Sequence, residues 1–176
     1  GKTMFFQLKT TVLYYNKIYL EVAVMYRKSE EWDCRAIYDL ICDMENKQLP
    51  YDVFEKMYCG QLERKDMYCI IREEKGTVTA MLNLRFEEQL HHCEKIAEIM
   101  EFVVDAGYRD TGVGKEVLTE ACRVALEHGC SQIEVACNQL RKDTHRFYER
   151  EGMHNYHYKF SKRLRGEDDG ENVLGR

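Results

Sequence analysis

The sequence predicts an α/β domain, a mixed sheet with helices on both faces. Three observations carry that reading. Apolar residues alternate at period two in several short runs and recur at i, i+3, i+4, i+7 in others. The two kinds of run follow one another as β-α-α-β-β-β-α-β-α-β. The single proline, Pro50, stands between runs, so few breaks are forced on regular structure.

The first strand is read from Ile18, with Ile18, Leu20, Val22, Val24 and Tyr26 on one face. Ser29 is placed to cap a helix whose stripe is Ile37, Leu40, Ile41 and Met44. Pro50 and Asp52 open a second helix to about Leu62, with Val53, Phe54 and Met57 inward. Met67 to Arg72 and Thr77 to Phe86 read as a hairpin about Lys75-Gly76, followed by a polar loop, Glu87 to Glu94. Ile96 to Val104 is a further strand. A helix from about Gly112 to His128 carries Val117, Leu118, Ala121, Cys122, Ala125 and Leu126 on one face and stops at Gly129. Gln132 to Cys137 reads as a strand, Asp143 to Glu151 as a helix closed by Gly152, and His154 to Leu164 as a last alternating strand. Residues 1–16 show no clean period and read as an N-terminal extension. Residues 17–164 form the domain, and residues 165–176 form an acidic tail expected to be mobile.

Composition narrows the function classes. The chain has 176 residues, enough for one domain with one core. It holds 26 Lys+Arg against 31 Asp+Glu, a net charge of −5, and no long basic run, which argues against a nucleic-acid partner. In the first 26 residues the longest unbroken apolar run, Val22 to Tyr26, is too short for a membrane span or a signal core. No two of the eight cysteines are spaced C-x-x-C, so neither a zinc knuckle nor a redox pair is signalled. They read as reduced core residues of a cytoplasmic protein.

The sharpest local feature is Arg109-Asp110-Thr111-Gly112-Val113-Gly114-Lys115, between a strand and a helix. Its glycines let a ligand approach the backbone, and the N–H groups of a first helical turn suit a diphosphate. A plain strand-to-helix turn has the same composition. The Gly-Lys-[Ser/Thr] ending of a P-loop and the three-glycine dinucleotide spacing are both absent.

These residues match R-x-x-G-x-G, and His145-Arg146-Phe147-Tyr148-Glu149-Arg150-Glu151-Gly152 is similar to an FYexxGF segment, with Met153 where an aromatic is usual. On both motifs and on element order the chain resembles the GNAT N-acetyltransferase superfamily. Within it, Leu90-His91-His92, Ala97 to Val104, Asp143 to Tyr148, His157 to Phe160 and Ala36 to Cys42 resemble aminoalkylphosphonate N-acetyltransferases. The likeness spans about Val24 to Leu164. Lys159 departs from it, standing where that group carries Arg.

The resemblance implies a mostly antiparallel GNAT-type sheet and acetyl transfer from acetyl-CoA to a small primary amine, first an aminoalkylphosphonate. Polyamines, amino acids and aminoglycosides are the other acceptors, and a non-catalytic acyl-CoA-binding regulator is the other class. An alkyl ammonium titrates near ~10.4, so about one molecule in ~2,000 is neutral at pH 7, and a carboxylate must take the proton. The resemblance puts that role on Glu98; a strand-face charge is the alternative for it, and Glu101 is the competitor. It also implies that Phe102, Val103 and Val104 bind the pantetheine arm, with an N–H near Val103 on the developing oxyanion. Arg109 to Lys115 (Arg109, Asp110, Thr111, Gly112, Val113, Gly114 and Lys115) would hold the diphosphate, and Tyr148 would protonate the leaving thiolate. Asn138 is a cofactor contact or a turn residue. His91 and His92 are solvated loop residues or substrate-binding groups. A divalent metal is left open with no ligands assigned, and so is a homodimer.

Overall fold

The computed structural model describes residues 7–13, 20–162 and 164; side chains are described from Val24 onward. The chain divides into two compact units, residues 1–136 and 137–176.

The first unit is built on a six-stranded sheet whose spatial order follows the chain. Its strands are β1 (Gln7–Leu13), β2 (Leu20–Lys28), β3 (Met67–Glu74), β4 (Thr77–Gln89), β5 (Glu94–Val104) and β6 (Gln132–Val135). Every neighbouring pair is antiparallel except β5 and β6, which run parallel. The sheet is therefore mixed and mostly antiparallel, as expected. The segment read as an extension contains β1, paired with β2 from Gln7↔Tyr26 to Leu13↔Leu20. The β2 expectation is shifted two residues toward the C-terminus, and Ile18 lies outside the described residues.

Helices α1 (Cys34–Glu45) and α2 (Tyr51–Leu62) cover one sheet face, and α3 (Val113–Glu127) covers the other. The register shows why. Ile71, Met81 and Val103 stand opposite one another across β3, β4 and β5, and they share a core with Cys34, Ile37, Leu40 and Tyr58 of α1 and α2. Residues of opposite parity face the other way. On that side Tyr26 donates to Glu116 of α3 at 2.8 Å, and Phe86 stacks on His128 at 4.3 Å between ring centroids.

Several local expectations change. Ser29 caps nothing: its hydroxyl is buried without a partner, and the Glu30 N–H donates to Asp33 instead. In α2 the inward residues are Phe54 and Tyr58, while Val53 and Met57 are exposed. Leu126 leaves the α3 stripe and is exposed, because Val124 and Ala125 already fill the buried face at that turn. The expected polar loop shrinks to a tight turn, since β4 continues to Gln89 and β5 begins at Glu94. The hairpin turn forms where expected, with Lys75 and Gly76 at φ 52° and 78°.

The second unit holds α4 (Lys142–Arg150). The expected strand His154 to Leu164 is not a strand: Tyr156, Tyr158 and Phe160 are exposed, and residues 153–162 carry no regular structure. The alternation is present, but a strand also needs a ladder partner, and none stands among the described residues of this unit. Residues 165–176 lie outside the described residues.

Candidate active site

The β4–β5 register slips between Asn83 and Leu84: Asn83 pairs with Glu101 and Leu84 with Ile99, so Met100 is an extra residue on β5. In a regular strand residues three apart point to opposite faces. The bulge cancels that, and Glu98 and Glu101 both face the α1–α2 side.

The two carboxylates meet different surroundings. Glu98 stands opposite Arg85 and is ion-paired with it, and Arg85 also holds Glu87 at 3.0 Å. Glu101 lines a cavity of about 240 Å³ between α1–α2 and strands β3 to β5. Its other walls include Ile37, Ile41, Phe54, Met57, Leu62 and Met81. The Asn83 side-chain amide donates to Glu101 Oε2 and to Gln61 Oε1, each at 2.8 Å. Asn83 is 5% exposed, and its Oδ1 is buried with no hydrogen-bond partner. Burial pushes the Glu101 carboxyl above the usual carboxylate range, and the Asn83 hydrogen bond opposes that in part. The sequence pattern does not single out Asn83, Gln61 or Lys28; each lines the cavity from a different element.

The parallel register with β6 ends at Ile99↔Val135, whereas β5 itself continues to Val104. Phe102, Val103 and Val104 thus lie past the end of that ladder, in the part of β5 where the bulge has already turned the strand. Val103 is buried in the α1–α2 core by its side chain.

After β5 the chain makes a short 3₁₀ turn, Ala106–Tyr108, in which Asp105 accepts from the Gly107 N–H at 2.8 Å. Asp110 and Gly112 take positive φ, 61° and 93°, and Gly112 becomes the N-cap of α3 with no side-chain cap. A Cβ placed on Gly112 would meet no atom of the described residues within 4 Å beyond its chain neighbours, so the surface over this glycine is open among them. Arg109 folds back: its Nε donates to the Val104 carbonyl at 3.0 Å and its Nη2 pairs with Asp43 of α1 at 3.0 Å. Thr111 donates to the Tyr108 carbonyl at 2.6 Å, Val113 is buried, and Gly114 and Lys115 complete the first turn of α3. Arg109 therefore anchors the loop to the end of β5.

In the second unit the Asn138 side-chain carbonyl accepts from the Leu140 N–H at 2.9 Å, and the Asn138 backbone carbonyl lies 2.9 Å from His145 Nε2. That is the geometry of a turn residue before a helix. Tyr148, on α4, is buried at 8% exposure. Burial, with a smaller contribution from Cys137, pushes its phenol up to about 12, so it stays protonated through the neutral range.

His91 and His92 sit exposed in the β4–β5 turn, ring against ring at 4.1 Å, and neither lines the cavity. Among the described residues no three His, Cys, Asp or Glu side chains group to hold a metal ion. None of the eight cysteines is in a disulfide, and no helix among the described residues is long and apolar enough to cross a membrane.

Comparison with known proteins agrees with this geometry. The family model described as "Acetyltransferase (GNAT) family" matches residues 28–153. An aminoalkylphosphonate N-acetyltransferase of Salmonella typhimurium (strain LT2) is 33% identical over 132 residues, 75% of this chain and 86% of that protein. Among solved structures, a transcriptional regulator from Bacillus halodurans C-125 has a TM-score of 0.74 at 21% identity, covering 80% of this chain and 99% of its own. An aminoglycoside N-acetyltransferase in complex with CoA has a TM-score of 0.73 at 13% identity, covering 82% and 97%. The two solved structures share the fold, and the chain belongs to the GNAT family of acetyltransferases.

Proposed function

We propose that this chain transfers the acetyl group of acetyl-CoA to the nitrogen of a small primary amine, by direct attack in a ternary complex. The observation that carries it is the half-buried carboxylate of Glu101 in an apolar-walled cavity, on the strand that ends at the Arg109–Lys115 loop. The 33% identical relative supports an aminoalkylphosphonate as the first acceptor to try.

In this reading the ammonium gives its proton to a β5 carboxylate. The neutral nitrogen then attacks the thioester carbon, the C–N bond forms and the C–S bond breaks. The thiolate leaves with a proton from Tyr148. Backbone N–H near Val103 stabilises the oxyanion, Phe102 to Val104 hold the pantetheine arm, and the uncapped end of α3 beside Gly112 and Gly114 takes the diphosphate. What supports the last point is the open surface over Gly112 and the absence of a side-chain cap. Asn138 contributes by shaping the turn before α4 and, in the same reading, by reaching the cofactor.

Two residues compete for the base. Family resemblance favours Glu98. Burial, the Asn83 hydrogen bond and a place in the cavity favour Glu101, whereas the Glu98 charge is held by Arg85. His91 and His92, exposed on a turn, fit an outer contact with a charged acceptor. The eight free thiols fit a reducing compartment such as the cytoplasm.

The test is release of CoA thiol from acetyl-CoA across a panel of amines, with and without a chelator. Amine-dependent release is expected. Firm acetyl-CoA binding with no release by any amine would assign the chain to the acyl-CoA-binding regulators instead.

A further inference from the structure

We infer that the cavity at Glu101 takes a primary amine carried on an uncharged apolar body, an alkyl or arylalkyl amine, rather than an amine bearing a phosphonate. The inference rests on the acetyltransferase reading and departs from it on the acceptor, where the cavity lining and the likeness to the phosphonate-acting relative point different ways.

The cavity has one acceptor-rich polar corner, and the rest of its wall is mostly apolar. Both N–H bonds of the Asn83 amide are spent, one on Glu101 and one on Gln61. That leaves two acceptors on residues of the wall, the second oxygen of the Glu101 carboxylate and the remaining lone pair of Gln61 Oε1, while Asn83 Oδ1 is sealed from the cavity. An ammonium group has three N–H donors and no acceptor, so it matches this set.

Away from the corner the lining is aliphatic, aromatic and thioether, with Ile37, Ile41, Phe54, Met57 and Leu62 forming much of it. Among the described residues Lys28 is the one cation on the wall, and its ammonium lies 5.5 Å over the Tyr68 ring. A phosphonate two or three atoms from the amine would carry its charge into this apolar wall, beside the Glu101 carboxylate, with only Lys28 among the lining side chains to oppose it. Burying a charge without full pairing is strongly unfavourable. An apolar chain gains from the same wall. Size does not separate the two: at roughly 30 Å³ per water-sized group, 240 Å³ holds about eight non-hydrogen atoms of either kind.

The experiment compares kcat/KM for 2-phenylethylamine, hexylamine and 2-aminoethylphosphonate, in the parent protein and in Met57→Arg. Met57 lines the cavity but is 63% exposed, so the variant can fold with its new charge at the mouth. The parent should favour the two apolar amines over the phosphonate by about 100-fold. Met57→Arg should lower that ratio at least tenfold, with acetyl-CoA affinity unchanged. Equal or better turnover of the phosphonate by the parent overturns the inference while leaving acetyl transfer in place. So does a ratio that Met57→Arg does not move. Turnover of no acceptor, with acetyl-CoA bound, overturns the acetyltransferase reading itself.

Discussion

Replacing Glu101 by Gln and, separately, Glu98 by Gln separates the two carboxylates of β5. In Glu101→Gln the new side-chain carbonyl can still accept from the Asn83 amide, which Glu101 now accepts at 2.8 Å, so the polar corner keeps its shape. The substitution also removes a charge from a half-buried, partly desolvated site, so Tm should hold or rise. What is lost is the proton acceptor. General-base catalysis is worth ~10²–10⁴-fold, or about 3–5.5 kcal/mol of barrier, and kcat/KM for the amine should fall by that factor with acetyl-CoA affinity intact. The pH profile should change as well. In the parent, activity gains from Glu101 ionisation along a limb displaced above the ordinary carboxylate range, and Glu101→Gln should lack that limb. Glu98→Gln is a different perturbation. Its side chain is 19% exposed, its partner Arg85 is 34% exposed, and Arg85 retains Glu87 at 3.0 Å. If Glu101 is the base, Glu98 takes no proton in the reaction, and the rate should stay within about threefold of the parent. Steady-state kinetics by thiol release on both variants decides it. A collapse in Glu98→Gln with a near-normal Glu101→Gln would refute the reasoning from burial and give the base to Glu98.

Four further outcomes are expected. Tyr148→Phe should lower kcat by about 100-fold while leaving the acetyl-CoA Kd unchanged in calorimetric titration, because it removes a proton donor used only as the thiolate departs; an unchanged kcat would remove the role. Gly112→Val should weaken acetyl-CoA binding at least tenfold, since a φ of 93° is strained for valine and its side chain would occupy the open surface; normal affinity would dismiss the phosphate-loop assignment. Because folded Glu101 binds its proton more tightly than the unfolded chain does, its share of stability is fullest below the unfolded pKa of ~4.3 and is lost as pH rises through the raised folded value. The Tm advantage of Glu101→Gln should therefore grow across that window, and a pH-independent difference would contradict it. Leu82→Ala, at a fully buried site between Ile70 and Phe102 in register, should cost ~2–5 kcal/mol by urea unfolding; a loss under ~1 kcal/mol would mean the site collapses freely.

The sequence reveals what depends on neighbours along the chain. The Lys75-Gly76 turn needs two positive φ values and offers residues that accept them, and α3 ends at Gly129, whose φ is 77°. The loop ahead of α3 is read the same way, from two glycines and an arginine. Features that depend on distant partners are hidden. Met100 is apolar like Ile99 before it, and only the pairing with β4 marks it as the bulged residue that brings Glu98 and Glu101 to one face. The ion pair of Arg109 with Asp43, 66 positions earlier and 3.0 Å away, is likewise invisible along the chain. Asn83 and Gln61 look like ordinary polar residues because the cavity that gives them meaning is assembled from α2, β4 and β5. His154 to Leu164 fails the opposite way: its period-two face is clear, but alternation cannot supply a ladder partner.

Acetyl transfer itself is tested most directly by following an isotopically labelled acetyl group from acetyl-CoA in the presence of a single apolar primary amine. The label should appear on the amine nitrogen, one equivalent for each CoA thiol released, and Glu101→Gln should slow both together. Label that stays on CoA while acetyl-CoA is firmly bound would contradict the account and leave a binding protein with an acetyltransferase fold.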